Sequence, residues 1–140
     1  MFFKIILIFM INIFPINKIN HINDLKWKNR VLIIKSHKKI DFSLKIDPFK
    51  QEFGERDFSI VYLKNKNTLI NNRKMPKLFS KSVFNKIKNI NSNHYFILIG
   101  KDGQVKNSYK STIEIENILS DVDRMPMRKY EMKKIENSYE

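Results

Sequence analysis

The segment Ile99–Lys106, IGKDGQVK, places two glycines and two lysines close together, where they could hold a phosphate group. A phosphate-binding P-loop needs the pattern G-x-x-x-x-G-K-[ST] between a strand and a helix, so that backbone N–H groups face the phosphate. Here strand-like sequence lies on both sides. Asp102-Gly103 instead favours a two-residue type I′ turn. The segment predicts a β-hairpin with Lys101 and Lys106 in solvent; a small anion held by these lysines is the functional alternative.

Nucleophilic and metal chemistry have few candidate residues. The 140 residues include no cysteine, which excludes disulfides, thiolates and cysteine-ligated metals. Ser36, His37 and His94 could support non-thiol chemistry, but dispersed histidines are more often surface or half-buried residues than parts of a triad. No metal-binding spacing of histidines or carboxylates is present, and Asp121 and Asp123 do not share one helix face. We predict no catalytic residue, no metal site and no cofactor.

The overall amino-acid usage of the chain explains its basic composition. The formal net charge is +13, which raises the question of a nucleic acid or an acidic membrane as partner. The chain is rich in Ile, Lys and Asn and lacks alanine, as in proteins from AT-rich genomes, and its five arginines are scattered. No strand alternates aromatic and basic residues as a nucleic-acid-binding sheet does. We therefore predict a solvated basic surface and no nucleic-acid partner.

The first residues, MFFKIILIFMINIFPI, have the pattern of an export signal. Lys4 precedes an apolar run, Ile5–Ile16, which is shorter than the roughly 20 residues that span a bilayer. No small-x-small cleavage pattern follows. We expect residues 1–22 to be a signal peptide, or an anchor formed by residues 2–16 if they are not removed, and the protein to be periplasmic or secreted. A buried N-terminal strand or helix is the structural alternative.

The first half of the chain predicts a strand, a helix and a second strand. The unbroken apolar runs Val31–Ile34 and Phe58–Leu63 suit strands buried on both faces. Between them, apolar residues recur at helical spacing. Asp47 is the predicted N-cap of the better-formed part, Pro48 its first residue and Gly54 its end. The helical stripe consists of Phe42, Ile46, Phe49 and Phe53.

The second half predicts two further helices around a hairpin. A polar loop is expected over about residues 64–78, followed by a helix capped by Ser80. HYFILIG and QVKNSYK are the two hairpin strands, and Ser111 and Glu114 have capping-box spacing for a later helix that Pro126 ends or kinks. The two apolar stripes are Val83, Phe84, Ile87 and Ile90, and Ile115, Ile118, Leu119 and Val122.

The resulting order is β-α-β-α-β-β-α, with a terminal β-hairpin and a C-terminal helix. Two buried strands joined through a helix imply a parallel pair with a crossover connection. We therefore predict an α/β fold, a thioredoxin-like three-layer sandwich. It covers residues 23–135 and leaves residues 136–140 as a polar tail.

Four segments together resemble the bacterial DUF4174 family of domains of unknown function. They are WKNRVLII at 27–34, ERDFSIVYL at 55–63, FILIGKDGQVK at 96–106 and DVDRMPMRKYEM at 121–132. The resemblance implies a fold similar to thioredoxins and peroxiredoxins. It also supports export, because related domains occur in secreted vertebrate matrix and sushi-repeat proteins. It implies no established activity.

The resemblance also marks positions of possible function. Related enzymes carry a thiolate just after the first strand, near Ser36-His37, where this chain has no cysteine. We therefore expect a redox-inactive binding or interaction module for an unknown protein or small ligand. An antioxidant-class enzyme that uses non-thiol residues is the alternative. At each motif position of possible function, a purely structural role is the alternative. These positions are Arg56, Asp57, Lys101, Asp102, Gly103, Lys106, Met125, Pro126, Met127 and Arg128.

Overall fold

The computed structural model describes residues 19–139, which form one six-stranded sheet with helices on both faces. The predicted leader therefore lies almost wholly outside the described residues. The strands are β1 (Arg30–Lys35), β2 (Phe58–Lys64), β3 (Asn67–Ile70), β4 (Arg73–Lys74), β5 (His94–Ile99) and β6 (Val105–Lys110). The helices are α1 (Ser43–Ile46), α2 (Lys50–Glu55), α3 (Lys77–Ile87), α4 (Ile115–Asp123) and α5 (Pro126–Asn137), with 3₁₀ turns at Ile22–Leu25 and Asp47–Phe49.

The sheet has the connectivity of a thioredoxin-like domain. Its strand order is β4-β3-β2-β1-β5-β6. β1 and β2 are parallel and are joined by a helical crossover, whereas β5 runs antiparallel to β1 and forms a hairpin with β6. The predicted fold class is confirmed.

Two apolar cores separate the three layers. One face of β1 and β5 packs against α1, α2 and α4, and the other face packs against α3 and the N-terminal 3₁₀ turn. The four central residues of β1 are buried because both faces are covered, as their unbroken apolar run predicts. The stripe on α4 is buried as predicted.

The first helical region differs from the prediction. It consists of α1, a 3₁₀ turn and α2, and Asp47 lies inside this run instead of capping it. The cap role belongs to Asp41, whose carboxylate accepts hydrogen bonds from the backbone N–H and the hydroxyl of Ser43 at 3.0 and 2.6 Å. Gly54 is helical, and α2 ends one residue later.

The predicted polar loop of residues 64–78 is wrong. It contains β3 and β4, which extend the sheet beyond β2. Asn71 and Asn72 both have positive φ, as a type I′ turn requires, and asparagine tolerates this region better than most residues. These strands are hard to recognise in the sequence because they are short, with four residues in β3 and two in the edge strand β4, and lie among polar residues.

Two predicted helix caps are also wrong. Ser80 lies within α3, where its hydroxyl is 2.7 Å from that of Thr68, and α3 starts after Pro76. Ser111 precedes α4 without capping it, since Glu114 is the N-cap residue. On α3, the side chain of Phe84 is exposed, and Phe79 takes its place in the core.

The first described residues pack onto the domain. Ile22 and Leu25 are buried beside α3, and the backbone N–H of Ile22 donates to the Ser82 hydroxyl at 2.9 Å. Among residues 19–139, no helix is both long and apolar enough to cross a membrane.

Candidate functional site

The four sequence motifs converge at one end of the sheet. Arg30 opens β1, Asp57 directly precedes β2, and Gly100 directly follows β5. Because β1 and β2 are parallel and β5 is antiparallel to both, these three points lie side by side. The fourth motif starts in α4 and continues into α5. Their charged side chains, which we call the signature network, are Arg30, Arg56, Asp57, Lys101, Asp123, Arg128 and Glu131.

Arg30 is the centre of the signature network. Its side chain is 1% exposed, and its two terminal nitrogens donate to the two carboxylate oxygens of Glu131 at 3.2 and 3.3 Å. One of these nitrogens also donates to the carbonyl of Arg56 at 3.0 Å. A two-pronged contact of this kind is strong and directional, and it fixes α5 against the start of β1.

Lys101 is not solvated, contrary to the hairpin prediction. Its side chain is 10% exposed, and its ammonium group donates to Asp57 at 2.8 Å and to Glu131 at 2.7 Å. Burial alone would lower the pKa of Lys101, but the hydrogen bonds to Asp57 and Glu131 raise it above its usual value. The carbonyl of Lys101 accepts the N–H of Trp27 at 2.7 Å, which joins the first and third motifs.

Asp123 joins two arginines. Arg56 donates to both of its carboxylate oxygens at 2.9 Å, and the Nε of Arg128 lies 3.5 Å away. The hydrogen bonds from Arg56 hold the pKa of Asp123 below its ordinary value. Asp121 points elsewhere and accepts from the Tyr109 hydroxyl at 2.5 Å, so the two aspartates lie on different faces, as predicted.

Ionic contacts, and not apolar packing, hold α5 against the rest of the domain. Arg128 is its buried residue, whereas Tyr130 and Ile135 are exposed. Arg128 also donates to the carbonyl of Glu55 at 3.3 Å. Burial would raise the pKa of Glu131, but hydrogen bonds from Lys101 and Arg30 lower it, so Glu131 remains ionised at neutral pH. The signature network therefore docks α5 onto the end of the sheet.

The turn of the β5–β6 hairpin has three residues instead of the predicted two. The N–H of Gly103 donates to the carbonyl of Gly100, and the N–H of Gly100 donates to that of Gln104, both at 3.0 Å. Gly103 has φ of +78°, whereas Asp102 is not in the positive-φ region, which rules out type I′. A type I turn followed by a left-handed glycine fits this geometry. Lys106 pairs with Asp102 at 2.7 Å.

The MPMR segment separates the last two helices. Met125 packs partly against the first core, Pro126 is the first residue of α5, and Met127 is exposed. The prediction that Pro126 ends or kinks the preceding helix is confirmed, because α4 stops at Asp123. Of these two methionines, Met125 is therefore the one that packs against a core. The segment places Arg128 next to Asp123.

The signature network is suited to holding structure and not to catalysis. Each of its carboxylates contacts a cation, and the pKa values of Asp123 and Glu131 are shifted away from neutrality. A general acid or base needs a pKa near the working pH. Within residues 19–139, no group of three or more potential metal ligands comes together.

Sequence reasoning missed three members of the signature network. Arg30, Asp123 and Glu131 lie in the quoted motifs but are not among the predicted site residues. A charged residue directly before a buried strand, as Arg30 precedes Val31, must find a partner because it cannot reach solvent freely. The sequence therefore indicates that Arg30 has a partner within the fold. The partner, Glu131, is about a hundred residues away and could not be deduced from spacing.

The opposite end of β1 holds Ser36 and His37, the position at which the family resemblance implies a thiolate in related enzymes. Ser36 is exposed, and the ring of His37 packs against Tyr95 with centroids 5.0 Å apart. Both residues line a cavity of about 400 Å³ together with Tyr62. Burial raises the pKa of Tyr62 to about 12, so its hydroxyl stays protonated at neutral pH. His94 lies elsewhere and pairs with Ser108 at 2.5 Å.

Comparison with known proteins yields a family and distant structural likenesses. The family model described as "Domain of unknown function (DUF4174)" matches residues 21–131. Similar solved structures include Prx1a of Plasmodium yoelii, at 19% identity and a TM-score of 0.49 over 73% of this chain and 76% of that one. Another is a Plasmodium vivax 2-Cys peroxiredoxin in the reduced state, at 16% identity and a TM-score of 0.47 over 71% and 78%. No curated protein matches the sequence significantly.

Proposed function

Since the chain belongs to the DUF4174 family of domains of unknown function, we propose that it is an exported binding module that keeps a thioredoxin-like fold without thiol chemistry. The observation that carries the proposal is the combination of a complete sheet framework with a thiol-free end of β1. Ser36 and His37 occupy the position expected for a thiolate, and the chain has no cysteine. Serine cannot take the place of a thiolate that is oxidised and recycled.

The signature network supports the same proposal. Its charges contact one another and hold α5, and the lowered pKa values of Asp123 and Glu131 make these two carboxylates poor general bases near neutral pH. The motif residues then account for stability, and recognition falls to another surface.

A peroxide assay tests the absence of redox activity. The purified protein should consume hydrogen peroxide with thiol donors no faster than a heat-denatured control, and it should show no disulfide reductase activity. Reductant should leave its melting temperature unchanged. Turnover that disappears in Ser36→Ala or His37→Ala would overturn the proposal.

The second candidate is an antioxidant-class enzyme that uses non-thiol residues. The half-buried pair of His94 and Ser108 supports the non-thiol part of this alternative, because a serine beside a histidine is the arrangement of an activated nucleophile; it suits acyl transfer and not the reduction of peroxide by serine itself. The pair borders an open cleft that Glu114 and Asn117 also line. Ser108→Ala would abolish any turnover from this site, whereas the binding-module proposal expects no turnover to lose.

Export is tested by cell fractionation. The proposal rests on Lys4 followed by the apolar run Ile5–Ile16, which lies outside the described residues. Tagged protein should be recovered outside the cytoplasm, either released or membrane-anchored. Recovery only from the soluble cytosolic fraction, with Met1 retained, would contradict export.

A further inference from the structure

The cavity at the carboxyl end of β1 has a strongly basic lining. It lies between β1, the segment before α1 and the end of β2, and has a volume of about 400 Å³. Four lysines line it, with one aspartate, Asp41, as the carboxylate in the lining. Four ammonium groups against one carboxylate give the lining a net charge of +3. The lysines are Lys35, Lys38, Lys39 and Lys64.

These lysines have no carboxylate partner within the described residues. No salt bridge among residues 19–139 engages any of the four. The carboxylate of Asp41 accepts two hydrogen bonds from Ser43 and serves the start of α1. The hydrogen bonds from Ser43 lower the pKa of Asp41, so its single negative charge persists at neutral pH. The cavity therefore keeps a positive excess that the protein does not neutralise locally.

Neutral hydrogen-bond donors accompany the lysines. The Nδ1 atom of His37 accepts the backbone N–H of Lys39 at 3.0 Å, which places the ring proton of the neutral imidazole on Nε2. Ser36 has an exposed hydroxyl, and the hydroxyl of Tyr62 remains protonated at neutral pH. These three side chains can donate to an anionic oxygen.

We propose that this cavity binds a small polyanion, an organic or inorganic molecule with several phosphate or carboxylate charges. Lysines act as point charges towards such groups. The inference rests on the proposed function, because it gives the binding module a ligand. The half-buried Lys35 supports it: burial lowers the pKa of Lys35, and an anion would offset the cost of keeping that ammonium charged.

The dimensions of the site favour a small molecule over a nucleic acid. Its volume falls within the range of about 300–1,000 Å³ of small-molecule sites. A strand of nucleic acid is bound by a groove that follows its backbone and by aromatic platforms for successive bases. Here the lysines surround one hollow formed mainly by the single segment of residues 34–42.

Calorimetric titration of the full chain tests the proposal with two probes, inorganic pyrophosphate and citrate. At least one of them should bind saturably with a stoichiometry of one. Binding of pyrophosphate alone would identify phosphate as the recognised group, and binding of citrate alone would identify carboxylate. Lys35→Gln and Lys64→Gln should each weaken binding by about fivefold or more, the scale of a lost charge pair in a partly exposed site. Added salt should weaken it as well.

Lys81→Gln is the matched control. It removes the same charge from an exposed position on α3, on the other side of the sheet, and should leave the affinity within about twofold of the wild type. The bound probe should also raise the melting temperature of the wild type and of Lys81→Gln, but not of the Lys35→Gln, Lys64→Gln double variant.

Three results would overturn the inference: no saturable binding of either probe, equal loss of affinity in Lys81→Gln, or tighter binding of a single-stranded oligonucleotide that is equally reduced in Lys81→Gln. These results leave the proposed function standing if peroxide turnover is absent. Peroxide turnover would instead refute the proposed function, whatever the titrations give.

Discussion

Basic side chains cluster at both ends of β1, but within the described residues they contact carboxylates at the amino end only. At the amino end, Arg30 and the other cations of the signature network contact carboxylates at 2.7–3.5 Å. At the carboxyl end, four lysines line a cavity and contact no carboxylate within residues 19–139. The difference shows that the partners of a charged residue, more than its presence in a motif, indicate whether it stabilises the fold or is available to a ligand.

Burial explains why the amino end must be paired. A buried guanidinium group without a partner is costly, and Arg30 is 1% exposed. The carboxyl end does not have this constraint, since Lys38, Lys39 and Lys64 are exposed to water. These three exposed charges can remain without partners at little cost until a ligand arrives, whereas the half-buried Lys35 is the lysine that an anion would stabilise most.

The largest effect should come from Arg30→Met. The change leaves the carboxylate of Glu131 and the carbonyl of Arg56 without their buried donor, so the free energy of unfolding should fall by about 3 kcal/mol. Urea denaturation measures it. Lys50→Met is the control: it removes an exposed pair with Asp47 and should cost less than about 0.5 kcal/mol. Equal losses in both variants would mean that the signature network does not stabilise the fold.

Gly103→Ala should cost about 1–2 kcal/mol. Its φ of +78° is unfavourable for any residue with a Cβ, and the added atom would lie 2.8 Å from the Cγ of Lys26. Gly54→Ala is the matched control, because Gly54 is helical with open space around it, and alanine there should stabilise by about 0.5–1 kcal/mol. Thermal unfolding of the two variants should therefore shift in opposite directions. A shift in the same direction would contradict the turn geometry.

Lys101→Ala should cost about 1–1.5 kcal/mol, since two carboxylates lose a largely buried donor. Lys106→Ala removes a more exposed lysine from the same hairpin and should cost less than about 0.5 kcal/mol. Chemical denaturation distinguishes the two. If the Lys101 variant were as stable as the Lys106 variant, the lysine would be solvated, as the sequence alone suggested.

The smallest expected effect is the loss, at acid pH, of the stability that the ionised Glu131 contributes. The folded pKa of Glu131 is lowered, so its stabilising contribution is complete above about 4.5 and is lost as the pH falls through the folded value. The stability difference between the wild type and Glu131→Gln should therefore narrow below pH 4.5. Denaturation at several pH values between 3 and 7 checks this. A constant difference over that range would show that the charge of Glu131 is not what α5 requires.

The sequence predicted the framework better than its details. Apolar runs such as Val31–Ile34 identify strands because full burial requires an unbroken apolar sequence. β3 and β4 escaped prediction because both are short and lie among polar residues, and Ser80 resembled a cap although its hydroxyl contacts Thr68 inside the fold. Local patterns contain no information about such long-range contacts.

Long-range contacts also limited what the sequence could predict about the candidate site. The motifs nominated Arg56, Lys101 and Arg128, and the structure brings all three together. Their role depended on Glu131 and Asp123, which only the docking of α5 reveals. The lysine-lined cavity could not be seen either, because Lys64 joins Lys35 through the pairing of β1 with β2.

The most direct test compares Lys101→Gln with Lys35→Gln, which remove the same charge from the two ends of the sheet. Both the free energy of unfolding and the pyrophosphate affinity are measured for each. The account predicts that Lys101→Gln loses about 1 kcal/mol of stability and keeps its affinity, whereas Lys35→Gln keeps its stability within about 0.5 kcal/mol and loses affinity. The opposite pattern, with affinity lost in Lys101→Gln and retained in Lys35→Gln, would place binding in the signature network and contradict the account.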